Sequence, residues 1–219
     1  MDWLSYLIDF ILHIDKHLFE IVTDYQTLTY LILFLIVFCE TGLVITPFLP
    51  GDSLLFAAGT IAAMPGQLLE IKLVILTFFV AAFIGDNTNY WIGHFLGGKV
   101  YEKNYRLIRR KYLDQTHAFY EKHGGKTIVL ARFMPIIRTF APFVAGVGTM
   151  NYRKFVTFSI LGNIIWTNIF CLAGYFFGNI PFVQNNFTMV ILAIIAISLV
   201  PPVIAALRPW LRSLRKPSS

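Results

Sequence analysis

Four charged residues interrupt the most apolar parts of this chain: Glu40, Asp52, Arg132 and Arg138. At the centre of a membrane helix each would cost roughly 2.5–3.5 kcal/mol unless it pairs or meets water. Two acids and two arginines can cancel, so the four are expected to share one polar cavity. The residue types suggest a chemistry. A guanidinium is a planar, permanently charged fork that binds phosphate through two parallel hydrogen bonds. A carboxylate in a low-dielectric site takes up protons more readily than one in water. Two readings follow: ion pairs that lock the fold, or a site for an anionic headgroup whose acids exchange protons. Asp86, directly after Gly85 and near Asn87 and Asn89, is a third proton-exchanging candidate. Its alternative role is a buried acid bonded to the neighbouring amides.

The elements that must position these groups are membrane elements. The chain has 219 residues, 57% hydrophobic and 14% charged, with mean hydropathy +0.66. A soluble domain is nearer 45–50% apolar and roughly 25% charged. This composition excludes an ordinary cytosolic enzyme, a disordered chain and a nucleic-acid-binding domain. Residues 1–98 carry nine acids against Lys16 and Lys72, a balance of −7, and residues 99–219 carry sixteen bases against three acids, a balance of +13. Such asymmetry is a topology signal, with basic segments retained in the cytoplasm.

Residues 155–207 contain no Asp, Glu, Lys or Arg. A helix of about 20 residues crosses the hydrocarbon core, so two crossings fit, at 155–178 and 186–207. Gly178-Asn179-Ile180-Pro181 separates them. Bases flank the pair at Arg153-Lys154 and in the tail, 208–219, which places both ends inside and the Asn-rich turn outside. Another crossing covers 71–96, and the basic loop 97–126, with eight bases and three acids, follows it on the cytoplasmic side.

The stretch 127–150 then has basic flanks at both ends and contains Arg132, Pro135, Arg138 and Pro142. A re-entrant hairpin, broken at the two prolines, satisfies both facts. Residues 26–66 read alike: an apolar run meets Glu40, breaks at Pro47, Pro50 and Gly51-Asp52, and resumes. Phe56-Ala-Ala-Gly59 echoes Phe143-Val-Ala-Gly146. Gly85-Asp86 precedes Gly97 by the same interval that separates Gly162-Asn163 from Gly174. The fold expected is an all-α polytopic membrane domain with two opposed re-entrant hairpins in an inverted repeat. Residues 1–20, with Leu4, Ile8, Ile11 and Leu18 near one face and several acids elsewhere, read as an amphipathic helix on the outer surface. The start, with Asp2 and Asp9 and no basic run, is not the pattern of a cleavable signal peptide.

Other signals are weaker. Gly51-Asp52-Ser53-Leu54 and Asp114-x-x-His117 spell the blocks of GDSL-type esterases, but the order of the spans gives Ser53 and His117 no reason to meet. His13 and His17 have metal-compatible spacing and no evident third ligand. Cys39 and Cys171 both sit in apolar runs and suggest no disulfide framework. No metal, no cofactor and no enzymatic activity is expected.

The motifs together resemble the bacterial DedA family. They are Glu40-x6-Pro47-x-x-Pro50-Gly51-Asp52, Gly85-Asp86-x-x-x-Tyr90-x-x-Gly93, and the run from Phe119 through His123-Gly124-Gly125-Lys126 to Ala131-Arg132-Phe133-x-Pro135-x-x-Arg138-Thr139. The resemblance covers almost the whole chain. The resemblance implies an inner-membrane protein of a wider superfamily that includes eukaryotic lipid scramblases. It also implies translocation of lipid phosphates, chiefly undecaprenyl phosphate, with dependence on the proton gradient. The family's acidic pair falls on Glu40 and Asp52, and its arginine pair on Arg132 and Arg138.

The expected function is a proton-linked flippase whose partners are membrane lipids and protons. Arg132 and Arg138 would hold the phosphate; Glu40, Asp52 and Asp86 would compensate them and exchange protons. A less selective phospholipid scramblase or a proton-coupled ion transporter would use the same charges. A non-transporting scaffold would use them only as structure. Homo-oligomerisation is left open by the small bundle.

Overall fold

The structure, a computed structural model, describes residues 14–25, 27–42, 51–64, 69–103, 124–197 and 200. Every regular element among them is a helix: α1 (Ile14–Tyr25), α2 (Leu28–Gly42), α3 (Gly51–Ala62), α4 (Ile71–Lys103), α5 (Lys126–Ala131), α6 (Pro135–Val147), α7 (Tyr152–Phe177), α8 (Pro181–Asn185) and α9 (Phe187–Ile197). Pro47, Pro50, His13, Asp114, His117 and the tail 208–219 lie outside the described residues.

Among the described residues, two helices are long and apolar enough to cross a membrane, over Ile71–Gly97 of α4 and over α7; the end of the expected crossing 186–207 lies outside the described residues. The 33 residues of α4 and the 26 of α7 are about 50 and 39 Å long, and both exceed the ~30 Å hydrocarbon core. The helix α4 runs on to Lys103, into the segment read as basic loop. The start of α7 is fixed by Asn151, whose Oδ1 accepts the backbone N–H groups of Arg153 and Lys154 at 3.1 and 3.3 Å. Both helices turn large apolar side chains outward: Leu76 is 54% and Phe176 67% exposed. Water would penalise such faces, and lipid accepts them.

The remaining apolar helices are shorter. Neither arm of the pair α2 and α3, with 15 and 12 residues, nor of the pair α5 and α6, with 6 and 13 residues, reaches ~30 Å alone. The turn between α5 and α6 is dictated locally. Met134 precedes Pro135 and adopts φ −120°, ψ 104°, because a following proline disfavours the helical region. Pro135 then opens α6, where its missing N–H costs nothing. Pro142, expected as a second break, lies inside α6 and does not interrupt it. Its ring removes one N–H donor, so the carbonyl four residues earlier, that of Arg138, loses its usual helical partner.

Packing follows close approaches at small residues. The helix α3 lies on α7, and α6 lies on α4. A Cβ on Gly59 would strike the carbonyl of Cys171, and one on Gly174 would strike that of Phe56. The second crossing is built alike: a Cβ on Gly146 would strike the carbonyl of Tyr90, and one on Gly93 that of Phe143. Thr60 reinforces the first crossing by donating to the carbonyls of Phe56 at 3.0 Å and Gly174 at 3.3 Å. Backbones that meet this closely need small residues on both sides. The spacing read in the sequence equated Gly97 with Gly174, and the packing corrects it. Gly93 is the residue that plays the part of Gly174, because it is Gly93 that faces the phenylalanine carbonyl.

The first helix buries Leu18 and Val22 and packs on α3 and α2, so its apolar side faces protein. Two buried apolar clusters fill the interior. The larger includes Leu33, Val37, Leu55, Phe78, Trp166 and Ile191; the smaller includes Tyr90, Ile128, Ala131, Ala141, Ala145 and Phe155. Arg132 sits at their seam, since Ala131 belongs to the smaller and Phe133 packs against the larger.

Candidate functional site

Five charged side chains converge at this seam, each no more than 6% exposed: Glu40, Asp52, Asp86, Arg132 and Arg138. Different elements present them. Glu40 comes from the end of α2 and Asp52 from the first turn of α3. Asp86 lies within α4, and Arg132 closes α5. Arg138 stands one turn into α6. An acid at the start of a helix and a base at the end of one are each favoured by the helix dipole, which suits Asp52 and Arg132.

The five form two groups. In the first, Arg138 is held by two acids: its Nη1 donates to Asp52 Oδ1 and its Nη2 to Glu40 Oε1. Glu40 Oε1 also accepts the backbone N–H of Gly51 at 3.2 Å. Trp166 Nε1–H donates to Asp52 Oδ1 at 2.9 Å. A Cβ on Gly51 would meet both the Glu40 carboxylate and the Arg138 guanidinium, so glycine is needed there for space.

In the second group, Arg132 Nη2 donates to Asp86 Oδ2 at 2.5 Å and also to Asn163 Oδ1. Ser159 Oγ donates to the same Asp86 oxygen at 2.6 Å, and Asn163 Nδ2 donates to it at 3.0 Å. The indole of Trp166 joins the groups. The Arg132 and Arg138 Cζ atoms lie 5.4 and 5.1 Å from its ring centroid, within cation–π range.

The four charges of the sequence reading therefore lie together with Asp86, divided into two groups. Glu40 and Asp52 both serve Arg138, and Arg132 is paired by Asp86. The acid's partners are not its neighbouring amides. The Asn87 amide donates to the carbonyl of Phe83, and the Asn89 amide donates to the carbonyls of Thr41 and Thr139. Asn89 thereby ties α2 and α6 to α4. The physical reason is reach: Arg132 ends α5 where that helix packs on α7, beside the face of α4 that carries Asp86.

Sequence reasoning missed Ser159, Asn163 as a ligand of the acid, and Trp166. A signal existed. Ser159, Asn163, Trp166 and Thr167 recur at helical spacing inside a run without charges, and all four are buried. Such a stripe marks one helix face turned to a polar interior.

Three carboxylates face two guanidiniums, so the fully ionised cluster carries one excess negative charge. Among the described residues, Glu40 Oε2, Asp86 Oδ1 and Arg138 Nε have no hydrogen-bond partner. Buried polar atoms are normally satisfied, and several orphans in one place mark a site with unused binding capacity. A crevice too tight to admit a water molecule lies here between α4, α5, α6 and α7, lined by Asp86, Arg132, Arg138, Pro142, Ser159 and Gly162. Ser53, the nucleophile of the esterase-like block, is fully buried, and its Oγ has no hydrogen-bond partner among the described residues. No group of residues suited to hold a metal ion occurs among the described residues.

Comparison with known proteins gives this arrangement a context. A model of the VTT domain matches residues 49–176, which include every member of the cluster except Glu40. Protein DedA of Escherichia coli strain K12 is 54% identical over 209 residues, covering 95% of each chain. An uncharacterized membrane protein of Mycobacterium tuberculosis is 43% identical over 186 residues, covering 84% of this chain and 82% of that one. Inner membrane protein YqjA of Escherichia coli strain K12 is 32% identical over 167 residues, covering 72% of this chain and 75% of that one. No solved structure matches. The two membrane-length helices, the short apolar pairs and the matched domain lead to one conclusion: this chain is a membrane protein of the DedA family, built around a VTT domain.

Proposed function

We propose that the protein is a proton-linked flippase for a phosphorylated polyprenyl lipid, undecaprenyl phosphate, in the bacterial inner membrane. One observation carries the reading: both arms of the buried Arg138 fork are occupied by carboxylates, Asp52 on Nη1 and Glu40 on Nη2. A phosphate offers the same two oxygens to the same fork. Protonating the acids weakens their hold and frees the fork, so proton uptake and headgroup binding become linked. Release of the protons on the other side restores the acids to Arg138 and expels the phosphate. The prenyl tail stays in lipid beside the cluster.

The fold supports transport in a second way. The pairs α2–α3 and α5–α6 are too short to span singly, and each sends its second arm onto a long helix through the same Phe-x-x-Gly contact. That reciprocity is what two opposed re-entrant hairpins in an inverted repeat produce, with the site where the repeats meet. In this arrangement the basic segments lie in the cytoplasm and the Asn-rich segment 179–186, with the short helix α8, lies outside. The relative YqjA is named an inner membrane protein, which supports the inner membrane as the location.

The test is translocation of undecaprenyl phosphate by the purified protein in liposomes, with and without a proton gradient. Arg138→Lys keeps the charge and loses the fork, and it is expected, like Arg138→Ala, to reduce transport by roughly tenfold or more. Wild-type rates in both variants would remove the phosphate clamp. Equal movement of zwitterionic phospholipids would replace the carrier-lipid reading with a scramblase.

A further inference from the structure

Three donors of different chemistry meet at one oxygen of Asp86. Arg132 Nη2 stands 2.5 Å, Ser159 Oγ 2.6 Å and Asn163 Nδ2 3.0 Å from Oδ2. A guanidinium, a hydroxyl and an amide that surround one anionic oxygen make a donor set suited to a phosphoryl group as well as to a carboxylate. The other oxygen, Oδ1, is buried and has no partner among the described residues. An acid kept only to lock helices would be expected to use both. The tight crevice beside it, which must widen to admit a ligand, is lined by Asp86, Arg132 and Ser159, and also by Arg138.

The geometry points to Arg132, Ser159 and Asn163 as a cradle for a phosphomonoester oxygen, with the Asp86 carboxylate as its resident stand-in. This rests on the transport reading above and deepens it, because Ser159 and Asn163 become ligand-binding residues and Asp86 becomes the group the ligand displaces. The charged groups of the cluster are Arg132 from α5, Arg138 from α6, Glu40 from α2 and Asp52 from α3; α7 contributes only the neutral Ser159, Asn163 and Trp166. With Asp86 ionised, an arriving phosphate meets a cluster of net charge −1 and an occupied cradle. One proton on Asp86 brings the cluster to zero and withdraws the competing anion, while Arg132, Ser159 and Asn163 keep their positions. The phosphate can come from a prenyl lipid or from free inorganic phosphate, and the cradle chemistry is the same for both.

The experiment uses the full chain in nanodiscs of zwitterionic lipid. Binding of a short-chain prenyl monophosphate, and separately of inorganic phosphate, is measured at mildly acidic and mildly alkaline pH. Wild type is expected to bind about tenfold more weakly on the alkaline side, and Asp86→Asn is expected to keep only the smaller pH change that the ligand's own second ionisation causes. Ser159→Ala, which removes one donor and leaves the ion pair, is expected to weaken binding at acidic pH about tenfold, and it carries the test even where Asp86→Asn does not fold. A response to these substitutions with the prenyl ligand alone identifies the lipid as the source, and a response with both identifies the phosphoryl group as sufficient. Wild-type binding with an unchanged pH profile in Asp86→Asn, or unchanged affinity in Ser159→Ala, overturns the stand-in and leaves the flippase reading in place. Binding by no variant at either pH overturns both.

Discussion

Arg138 holds two acids at once, and Asp52 shares its Oδ1 with the indole N–H of Trp166. That sharing makes Trp166 more than filling. Its ring lies under both guanidiniums, and its only donor anchors the acid that competes for Arg138. Trp166→Phe keeps the ring and removes the donor. It is expected to lower stability by about 1.5–3 kcal/mol, the range for a hydrogen bond to a charged group, measured by unfolding in detergent. An unchanged midpoint would show that the indole N–H holds nothing. Arg132 and Asp86 allow a sharper test, because each is buried and paired to the other. Arg132→Met leaves the Asp86 carboxylate without its charge partner and is expected to cost roughly 3–5 kcal/mol. Adding Asp86→Leu removes the stranded charge, and the double variant is expected to regain most of that loss. Additive losses would mean that the pair does not act as a unit.

Among the elements, the crossings set the tolerances. Gly59 and Gly146 each stand where a Cβ would run into a main-chain carbonyl, and a carbonyl inside a helix cannot rotate away. Gly59→Ala and Gly146→Ala are expected to destabilise by about 1–3 kcal/mol through overpacking. Gly162 is the contrast within the same class of helix. A Cβ there would meet Val129 no nearer than 3.4 Å, an ordinary contact. Gly162→Ala is expected to hold or raise stability, since alanine favours the helix by about 1 kcal/mol. Thermal unfolding of the three variants side by side separates close helix contact from intrinsic propensity. The sequence showed where to look, since Phe56-x-x-Gly59 and Phe143-x-x-Gly146 were visible as an echo. It did not show which glycine of the long helices answered each one, because small residues also stand at Gly85, Gly97 and Gly162.

For the whole molecule the charge imbalance, −7 before residue 99 and +13 from there on, predicts an orientation by the rule that basic segments stay in the cytoplasm. With Cys39 and Cys171 replaced, a single cysteine at the exposed end of α8, residues 184–186, is expected to react with a membrane-impermeant thiol reagent added to intact cells. One in the tail 208–219 is expected to react only after permeabilisation. The reverse pattern would invert the orientation and place the phosphate entry on the other face. The net charge of the buried cluster belongs to this scale too. Its acids come from the acidic half of the chain and its arginines from the basic half, so neither helix pair, α2–α3 nor α5–α6, is neutral on its own. The three-dimensional junction is what makes the ions tolerable in lipid.

The sequence by itself determined the solvent of this protein, its helical class and the five residues whose charge had to be answered somewhere. Composition and span length decide those points locally: too few charges for water, runs long enough for lipid, and ions too costly to leave alone. The family was legible for the same reason, because its motifs are the breaks and charges such a fold needs. Which charge answers which was decided only by the tertiary structure. Glu40, Asp52, Asp86, Arg132 and Arg138 lie as far apart as 98 positions in the chain, and pairing depends on helix faces and crossing points that no local pattern encodes. Arg132 met Asp86, and neutral Ser159, Asn163 and Trp166 entered the site, because α7 turned one polar stripe toward the ends of α5 and α3. A stripe of uncharged residues costs little in any orientation, so its sequence alone carries a weak signal; packing is what aimed it.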